Sequence, residues 1–399
     1  MSALIAWLTD VFRPHAGWYA LGAALALTGL GVLAIDTVSP YYASKQMQWV
    51  PLALIVMVMF MLPGSRTLGV IAYPGFAVCL LLLVFVILPF VPRGLVPRIN
   101  GATSWINLGL MNFQPSEAAR VFFVLSLAWY LRFRDNHRTL FGLLVPFVIM
   151  LVPVALILKQ PDLGVALVFG PTLLVMLIAA GAKLWHLGSI VALGILAIAV
   201  NVAIVFYAPP DLQLLKPHQQ MRIKSMVSLA MDDDRYVQDA AYQQDKAMTL
   251  IGAGGLSGYG EEAASTIVRY NRLPERHNDM IFAVIVNRWG LLGAWATMGL
   301  YLLLVMSMLT VAARSKEPLA RLSCVGFASM ILTPATINIG MCLGVMPITG
   351  ITLPFVSYGG SSLLFSFAIV GLIMNFASRK PRKMARPSFE FDHADAIYQ

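Results

Sequence analysis

Eight residues, Leu273-Pro274-Glu275-Arg276-His277-Asn278-Asp279-Met280, stand where a long polar segment meets an apolar one. Asp279 ends the polar side, and Met280-Ile281-Phe282-Ala283-Val284-Ile285-Val286 continue the apolar side. A carboxylate at such a boundary is partly out of water, which raises its proton affinity and suits it to act as a base. Three further segments combine charge, hydroxyl and turn residues. Phe113-Gln114-Pro115-Ser116-Glu117 reads as a helix start, with Pro and an acid in the first turn. Arg120 follows Glu117 at i+3, where the two can pair or share a ligand. Trp105, just upstream, suits a membrane interface or a binding wall. Lys159-Gln160-Pro161-Asp162-Leu163-Gly164 is a short turn in which Asp162 can cap the next helix or line a polar cavity with Lys159 and Asp279. Pro347 to Ser362 sets Pro, Gly and hydroxyls side by side at membrane depth, which is tolerated only where protein buries the backbone or where it lines a wet cavity. Ser357, Ser361, Ser362 and freed backbone N–H groups there can offer donors to an anion.

The elements that must position these residues are membrane helices. Apolar residues make up 59% of the chain and charged residues 12%, about half the charged share of a soluble domain. Apolar spans fall near 17–37, 48–63, 69–91, 118–131, 141–158, 164–181, 187–207, 280–312, 322–345 and 362–377. A hydrocarbon core of about 30 Å needs roughly 20 helical residues. The sequence therefore predicts an all-α polytopic bundle of about ten transmembrane helices, with one large extracytoplasmic loop at about 208–278. The stretch 280–312 is too long for one upright span and must tilt, bend near Gly290 and Gly293, or leave the bilayer.

Charge sets the orientation. With the N-terminus cytoplasmic, inside segments carry Arg13, Arg66, Arg132, Arg134, Arg138, Lys183, Arg314, Lys316 and Arg321, and the tail adds Arg379, Lys380, Arg382, Lys383 and Arg386. Short outside loops carry only Lys45, Arg93, Arg98 and Lys159. That asymmetry predicts a multi-pass protein with both termini in the cytoplasm. The net charge of +9 is thus a topology signal suited to an anionic inner leaflet and no argument for nucleic acid. Residues 1–378 read as one transmembrane domain and 379–399 as a basic, then polar, disordered cytoplasmic tail. Leu4 to Arg13 lacks a signal-peptide pattern and reads as a short interfacial helix. Cys79, Cys324 and Cys342 show neither metal nor disulfide spacing and read as apolar packing residues.

Taken together, five stretches resemble the SEDS family of peptidoglycan polymerases, to which RodA and FtsW proteins belong. They are Asn-Gly-Ala…Trp…Phe-Gln-Pro-Ser-Glu at 100–117, Gln-Pro-Asp-Leu-Gly at 160–164, Gly-Ala-Gly-Gly-Leu-Ser-Gly-Tyr-Gly at 252–260, Leu-Pro-Glu-Arg-His-Asn-Asp-Met-Ile-Phe-Ala-Val at 273–284, and Asn-Ile-Gly-Met followed by Pro-Ile-Thr-Gly-Ile-Thr-Leu-Pro-Phe-Val-Ser-Tyr-Gly-Gly-Ser-Ser at 338–362. Each alone is weak; five in family order over most of the chain are specific. Leu273 to His277 looks more like RodA and Asn100-Gly101-Ala102 more like FtsW, the likeness to RodA being slightly the greater.

The resemblance implies a ten-span bundle and an inverting glycosyltransferase of the bacterial cytoplasmic membrane. Its substrates would be lipid II and the growing lipid-linked glycan strand, joined during cell elongation or division. A class B penicillin-binding protein, a transpeptidase, is the implied partner. The implied catalytic acid maps onto Asp279. Trp105, Gln114, Ser116, Glu117, Arg120, Lys159, Asp162, Glu275, His277, Ser357, Gly359, Gly360 and Ser361 are the candidate substrate-binding residues. Arg98 and Lys246 are further outer-half cations that could meet a diphosphate. No cofactor is assigned; a divalent cation, Mg or Mn, is the one candidate, without a ligand set.

The chain departs from the family pattern at Ser104, where Arg is usual, and at Arg120, where Lys is usual. Asn287-Arg288 stands in place of the usual Glu-Glu, Tyr242 to Lys246 lacks the usual Gln-Ser ending, and Glu261 to Thr266 replaces a Gly- and Gln-rich run. Two other readings follow: a non-catalytic SEDS-like scaffold that activates a penicillin-binding protein, and a flippase for lipid-linked precursors. A flippase should carry polar residues through the full bilayer depth, whereas here they gather on one side.

Overall fold

The computed structural model describes residues 12–92, 94–97, 103–109, 111–207 and 240–379. The expected interfacial helix at the N-terminus falls almost wholly outside them, as do Arg93, Arg98, Asn100 to Ala102, most of the tail, and residues 208–239 of the large loop.

Among the described residues, ten helices build the bundle: α1 (Ala16–Val38), α2 (Pro40–Met61), α3 (Ser65–Ile87), α4 (Pro115–Leu131), α5 (Leu144–Lys159), α6 (Leu163–Ala179), α7 (Leu184–Tyr207), α10 (Ile281–Arg314), α11 (Pro318–Cys342) and α12 (Gly360–Ser378). Two more, α8 (Ala240–Gly254) and α9 (Gly260–Asn271), lie in the large loop. A two-residue hairpin pairs Ile106 with Phe113 and Asn107 with Asn112 just before α4. Eight of the described helical stretches are long and apolar enough to span a membrane. The 17-residue α6 is apolar but shorter, and the 17-residue α4 is almost wholly buried among its neighbours. At 1.5 Å per residue each still reaches about 25 Å. The polytopic bundle expected from the sequence is the architecture observed.

Helix starts follow local chemistry. Pro40, Pro115 and Pro318 open α2, α4 and α11, where a missing N–H costs nothing. Asp162 caps α6, its Oδ1 accepting from the Val165 N–H at 3.1 Å. The second span starts eight residues before the apolar pattern, at Pro40 rather than 48. The added turns carry Gln46, which is fully buried because both ends of its amide are bonded to the loop before α12. Hydropathy cannot register a polar residue whose partners are more than 300 positions away.

The long helix α10 bends as its length demands. Gly290 sits at φ 65°, ψ −157°, a conformation open only to glycine. The bend frees backbone groups that a lipid environment cannot satisfy. The α8–α9 connection satisfies them: Tyr259 N–H donates to Asn287 O at 3.0 Å, Leu291 N–H to Gly255 O at 2.9 Å and Leu292 N–H to Leu256 O at 3.3 Å. The glycine-rich stretch 252–260 therefore docks backbone to backbone against the bend. Helix α8 packs on α10 and α11, with Ala247 and Leu250 buried. Gln244 Nε2 ties it to the carbonyls of Met341 and Met346, each at 2.9 Å.

Candidate active site

The polar segments scattered along the sequence meet at one end of the bundle. Asp279 sits in the turn between α9 and α10. Asn338 on α11 donates to the Asp279 carbonyl and to the Ile351 carbonyl, both at 2.7 Å, and so joins that turn to the loop before α12. Ser357 Oγ donates to Asn278 O at 2.7 Å and accepts from Leu353 N–H at 2.8 Å. Tyr358 N–H donates to His277 O at 3.0 Å. Gln46 on α2 donates to Ser357 O and accepts from Gly359 N–H, each at 3.2 Å. The backbone around the acid is thereby held from three sides.

The Asp279 carboxylate itself accepts no hydrogen bond from a described residue. Burial, then the nearby Glu275 and Asp162 carboxylates, push its pKa up to about 7. Its Oδ2 faces Gly350, which has φ +73°; a Cβ there would stand 3.5 Å away. Glycine at 350 therefore keeps any side chain away from the carboxylate on that side. His277 stacks on Tyr42 with ring centroids 4.4 Å apart, and burial holds its pKa below the ordinary imidazole range.

On the other flank, Gln114 Nε2 donates to Asp162 Oδ2 at 3.0 Å, and Ser361 Oγ accepts from Gln114 N–H at 3.1 Å. Asp162 thus caps α6 and also bridges to the start of α4. Burial raises its pKa, with Glu117 adding to the rise and Val165, Arg120 and Gln114 opposing it. Glu117 and Arg120 form the i, i+3 ion pair expected from their spacing, and both are largely buried. Ser116 Oγ, Gln160 Oε1 and Asn338 Oδ1 are buried without a partner among the described residues.

The structure sorts the candidates. Hydrogen bonds gather the Asp279 turn with Glu275, His277, Ser357 and Gly359, and separately Gln114, Glu117, Arg120, Asp162 and Ser361; the chain from Gly359 through Gly360, which opens α12, to Ser361 joins the two into one network. Ser357 and Ser361 are buried and brace loops, so the Pro- and Gly-rich segment is first a scaffold for the acid turn. Trp105 is half-buried beside the hairpin. Lys159 does not join the network, contrary to the shared cavity expected of it. It is exposed at the end of α5, while the adjacent Gln160 turns inward and donates to Leu83 O at 3.0 Å. Gln46, Gln160 and Asn338 were given no role by the sequence, although the last two lie within matching stretches. Among the described residues no three His, Cys, Asp or Glu side chains converge as an ion requires.

The departures at 261 and 288 turn out to be one feature. Arg288 Nη2 donates to Glu261 Oε2 at 2.6 Å, and its Nη1 donates to Leu33 O and Thr37 Oγ1, both at 2.7 Å. Asn287 is buried and donates to Leu250 O at 3.1 Å. The Arg288 cation is thus paired with an acid from the neighbouring helix.

The profile of the FtsW/RodA/SpoVE family, described as "Cell cycle protein", matches residues 16–382. The chain belongs to that family. It is 31% identical to the Mycobacterium tuberculosis protein named "Probable peptidoglycan glycosyltransferase FtsW", over 95% of this chain and 71% of that one. Its Geobacter sulfurreducens namesake is 30% identical over 89% of this chain and 93% of its own. Among solved structures, a chain from a peptidoglycan synthase complex that coordinates polymerization and crosslinking aligns with a TM-score of 0.74 and 31% identity, covering 90% of this chain and 96% of that one. The Thermus thermophilus rod shape determining protein RodA aligns with a TM-score of 0.65 and 28% identity, covering 90% and 95%. Family membership places the ten-helix bundle in the membrane and makes the protein multi-pass.

Proposed function

We propose that this FtsW/RodA-family protein is a peptidoglycan glycosyltransferase that polymerises lipid II, with Asp279 as general base. The carrying observation is an unpaired carboxylate, pushed up to about 7, held by its backbone at the meeting point of four polar segments. The acceptor sugar's hydroxyl oxygen attacks the anomeric carbon of the other substrate from the face opposite the leaving group. The bond from that carbon to the phosphate oxygen breaks, its electron pair leaves with the polyprenyl diphosphate, and the hydroxyl proton passes to Asp279. A positioned base contributes about 10²–10⁴-fold to such a step. The charge developing on the diphosphate needs a cation close by, and Arg120 is the buried one on the Asp162 flank.

Arg120→Lys is expected to keep much of the strand-forming activity and Arg120→Ala little. Alanine also leaves Glu117 buried and unpaired, which costs stability. The double variant Glu117→Gln/Arg120→Ala removes that complication and should stay inactive. Activity restored in the double variant would reduce Arg120 to a partner for Glu117.

The protein acts at the outer face of the bacterial cytoplasmic membrane, with both termini inside and a class B penicillin-binding protein as partner. Orientation is tested in a variant lacking Cys79, Cys324 and Cys342, all buried. A cysteine at exposed Ser257 should react with an impermeant thiol reagent in intact cells whose outer barrier is permeabilised. One at exposed Lys316 should react only after lysis. The reverse pattern overturns the orientation.

The scaffold reading draws on Asn287 and Arg288, which stand where the family usually has acids. It predicts that the purified protein with its partner makes no strands from labelled lipid II yet still supports crosslinking.

A further inference from the structure

Joining two lipid-linked sugars brings two diphosphates to one base. One departs with its lipid; the other stays attached to the lengthened product. Arg120 can meet only one of them. A separate cavity of about 470 Å³ is lined by the acid turn as far as His277, two residues before Asp279, and by none of the residues around Arg120 and Asp162. Its walls are the α1–α2 corner at Val38, Ser39 and Tyr42, and the end of α9 with the acid turn, from Arg269 to His277.

The lining is cationic: Arg269, Arg272 and Arg276 face a single carboxylate, Glu275. Arg276 Nη1 donates to Val268 O at 3.2 Å, which points it along the wall. Arg269 and Arg272 are exposed and make no hydrogen bond or ion pair with a described residue. Arg272 and Glu275 both adopt positive φ, at 55° and 46°. Non-glycine residues held there are strained, and such strain gathers at ligand sites. The Arg288 clamp holds both walls, binding Thr37 next to the corner and Glu261 on α9. Asp279 feels the charge of Glu275, which lines this cavity, and of Asp162.

We propose that the cavity between the α1–α2 corner and α9 binds the diphosphate of the second lipid-linked substrate through Arg269 and Arg272, with Arg120 serving the first. The proposal rests on the polymerase reading. Two exposed guanidinium groups with no partner among the described residues, facing one cavity, suit a phosphate oxygen cluster. A phospholipid headgroup shares that chemistry, so the test separates the two.

The experiment counts undecaprenyl diphosphate bound to the full chain in phosphatidylcholine nanodiscs by native mass spectrometry. Asp279→Asn serves as the background. The parent should hold two molecules, and Arg269→Ala/Arg272→Asn one, with second-site affinity lower by about tenfold or more. Asn is chosen at 272 because it accepts left-handed backbone. Glu117→Gln/Arg120→Ala should also hold one, and the combined variant none. Arg269→Lys/Arg272→Lys, which keeps the charge, should retain two, and thermal unfolding run beside each variant identifies a loss of fold. If the Ala/Asn variant unfolds, the single Arg269→Glu is read in its place. Two molecules on a folded Ala/Asn variant, or one on the parent, overturns the proposal. So does phosphatidylglycerol competing as well as the diphosphate, which would make the cavity a general phospholipid contact. Because the readout is stoichiometry, it stands even if Asp279 proves not to be the base.

Discussion

Asp279→Asn should form glycan strands from labelled lipid II at least about 10²-fold more slowly than the parent, the lower end of what a lost general base costs. Asparagine keeps the size of the side chain and leaves the Asn338 bond to the Asp279 carbonyl untouched. The variant should therefore insert, fold and bind its partner. Asp279→Glu should recover little, since a displacement of about 1 Å can cost as much in a positioned site. The parent's rate should rise with pH through about 7, where the base loses its proton. That limb should vanish in the variant. The sign for stability is opposite. Between the ordinary carboxylate range and about 7 the folded protein holds a proton that the unfolded chain has released. Stability then falls as pH rises across that window. Asp279→Asn lacks this penalty and should melt no lower than the parent at pH 8. A parental polymerisation rate in Asp279→Asn would remove Asp279 from the mechanism. If neither protein polymerises but both support crosslinking by the partner, the scaffold reading replaces it.

The second large effect is structural. Gly290→Ala should lower stability by roughly 3 kcal/mol or more, combining a glycine-only conformation with overpacking. A Cβ at 290 would lie 2.4 Å from the Leu256 carbonyl carbon and oxygen, a clash with backbone atoms rather than with a flexible side chain. The docked stretch 255–259 must then lift away, leaving the bend's N–H groups and the Asn287 carbonyl without partners. Helix α10 carries the acid turn at its start, so strand formation should fall with the thermal midpoint. Gly299→Ala, further along the same helix, is the control: nothing lies within 4 Å of its added Cβ. In a helix interior that change favours folding by up to about 1 kcal/mol. Equal melting of the two variants would show that the bend does not depend on glycine at 290.

Much of this was legible in the chain because the signals are local. Long apolar runs require helices wherever water is absent, so the ten-helix bundle follows from composition and length. The excess length of 280–312 required a bend, and Gly290 was one of two residues that could supply it. A cap at Asp162, a helix start at Pro115 and an i, i+3 pair at Glu117 and Arg120 each depend on neighbours within a turn. Asp279 stood out because a charged residue abutted an apolar run.

What only the tertiary structure decided involves partners far apart in sequence. Gln46 is helical and buried because it meets residues 357 and 359. Gln160, rather than Lys159, turns inward because an amide can be satisfied by the Leu83 carbonyl, whereas an ammonium keeps its hydration outside. Arg288 reads as a lost acid until Glu261, Leu33 and Thr37 are seen around it. The arginine cavity is divided between α9 and the α1–α2 corner, more than 200 residues apart. No local pattern couples those segments; they meet because α1, α9 and α10 pack together and close the cavity beside the acid.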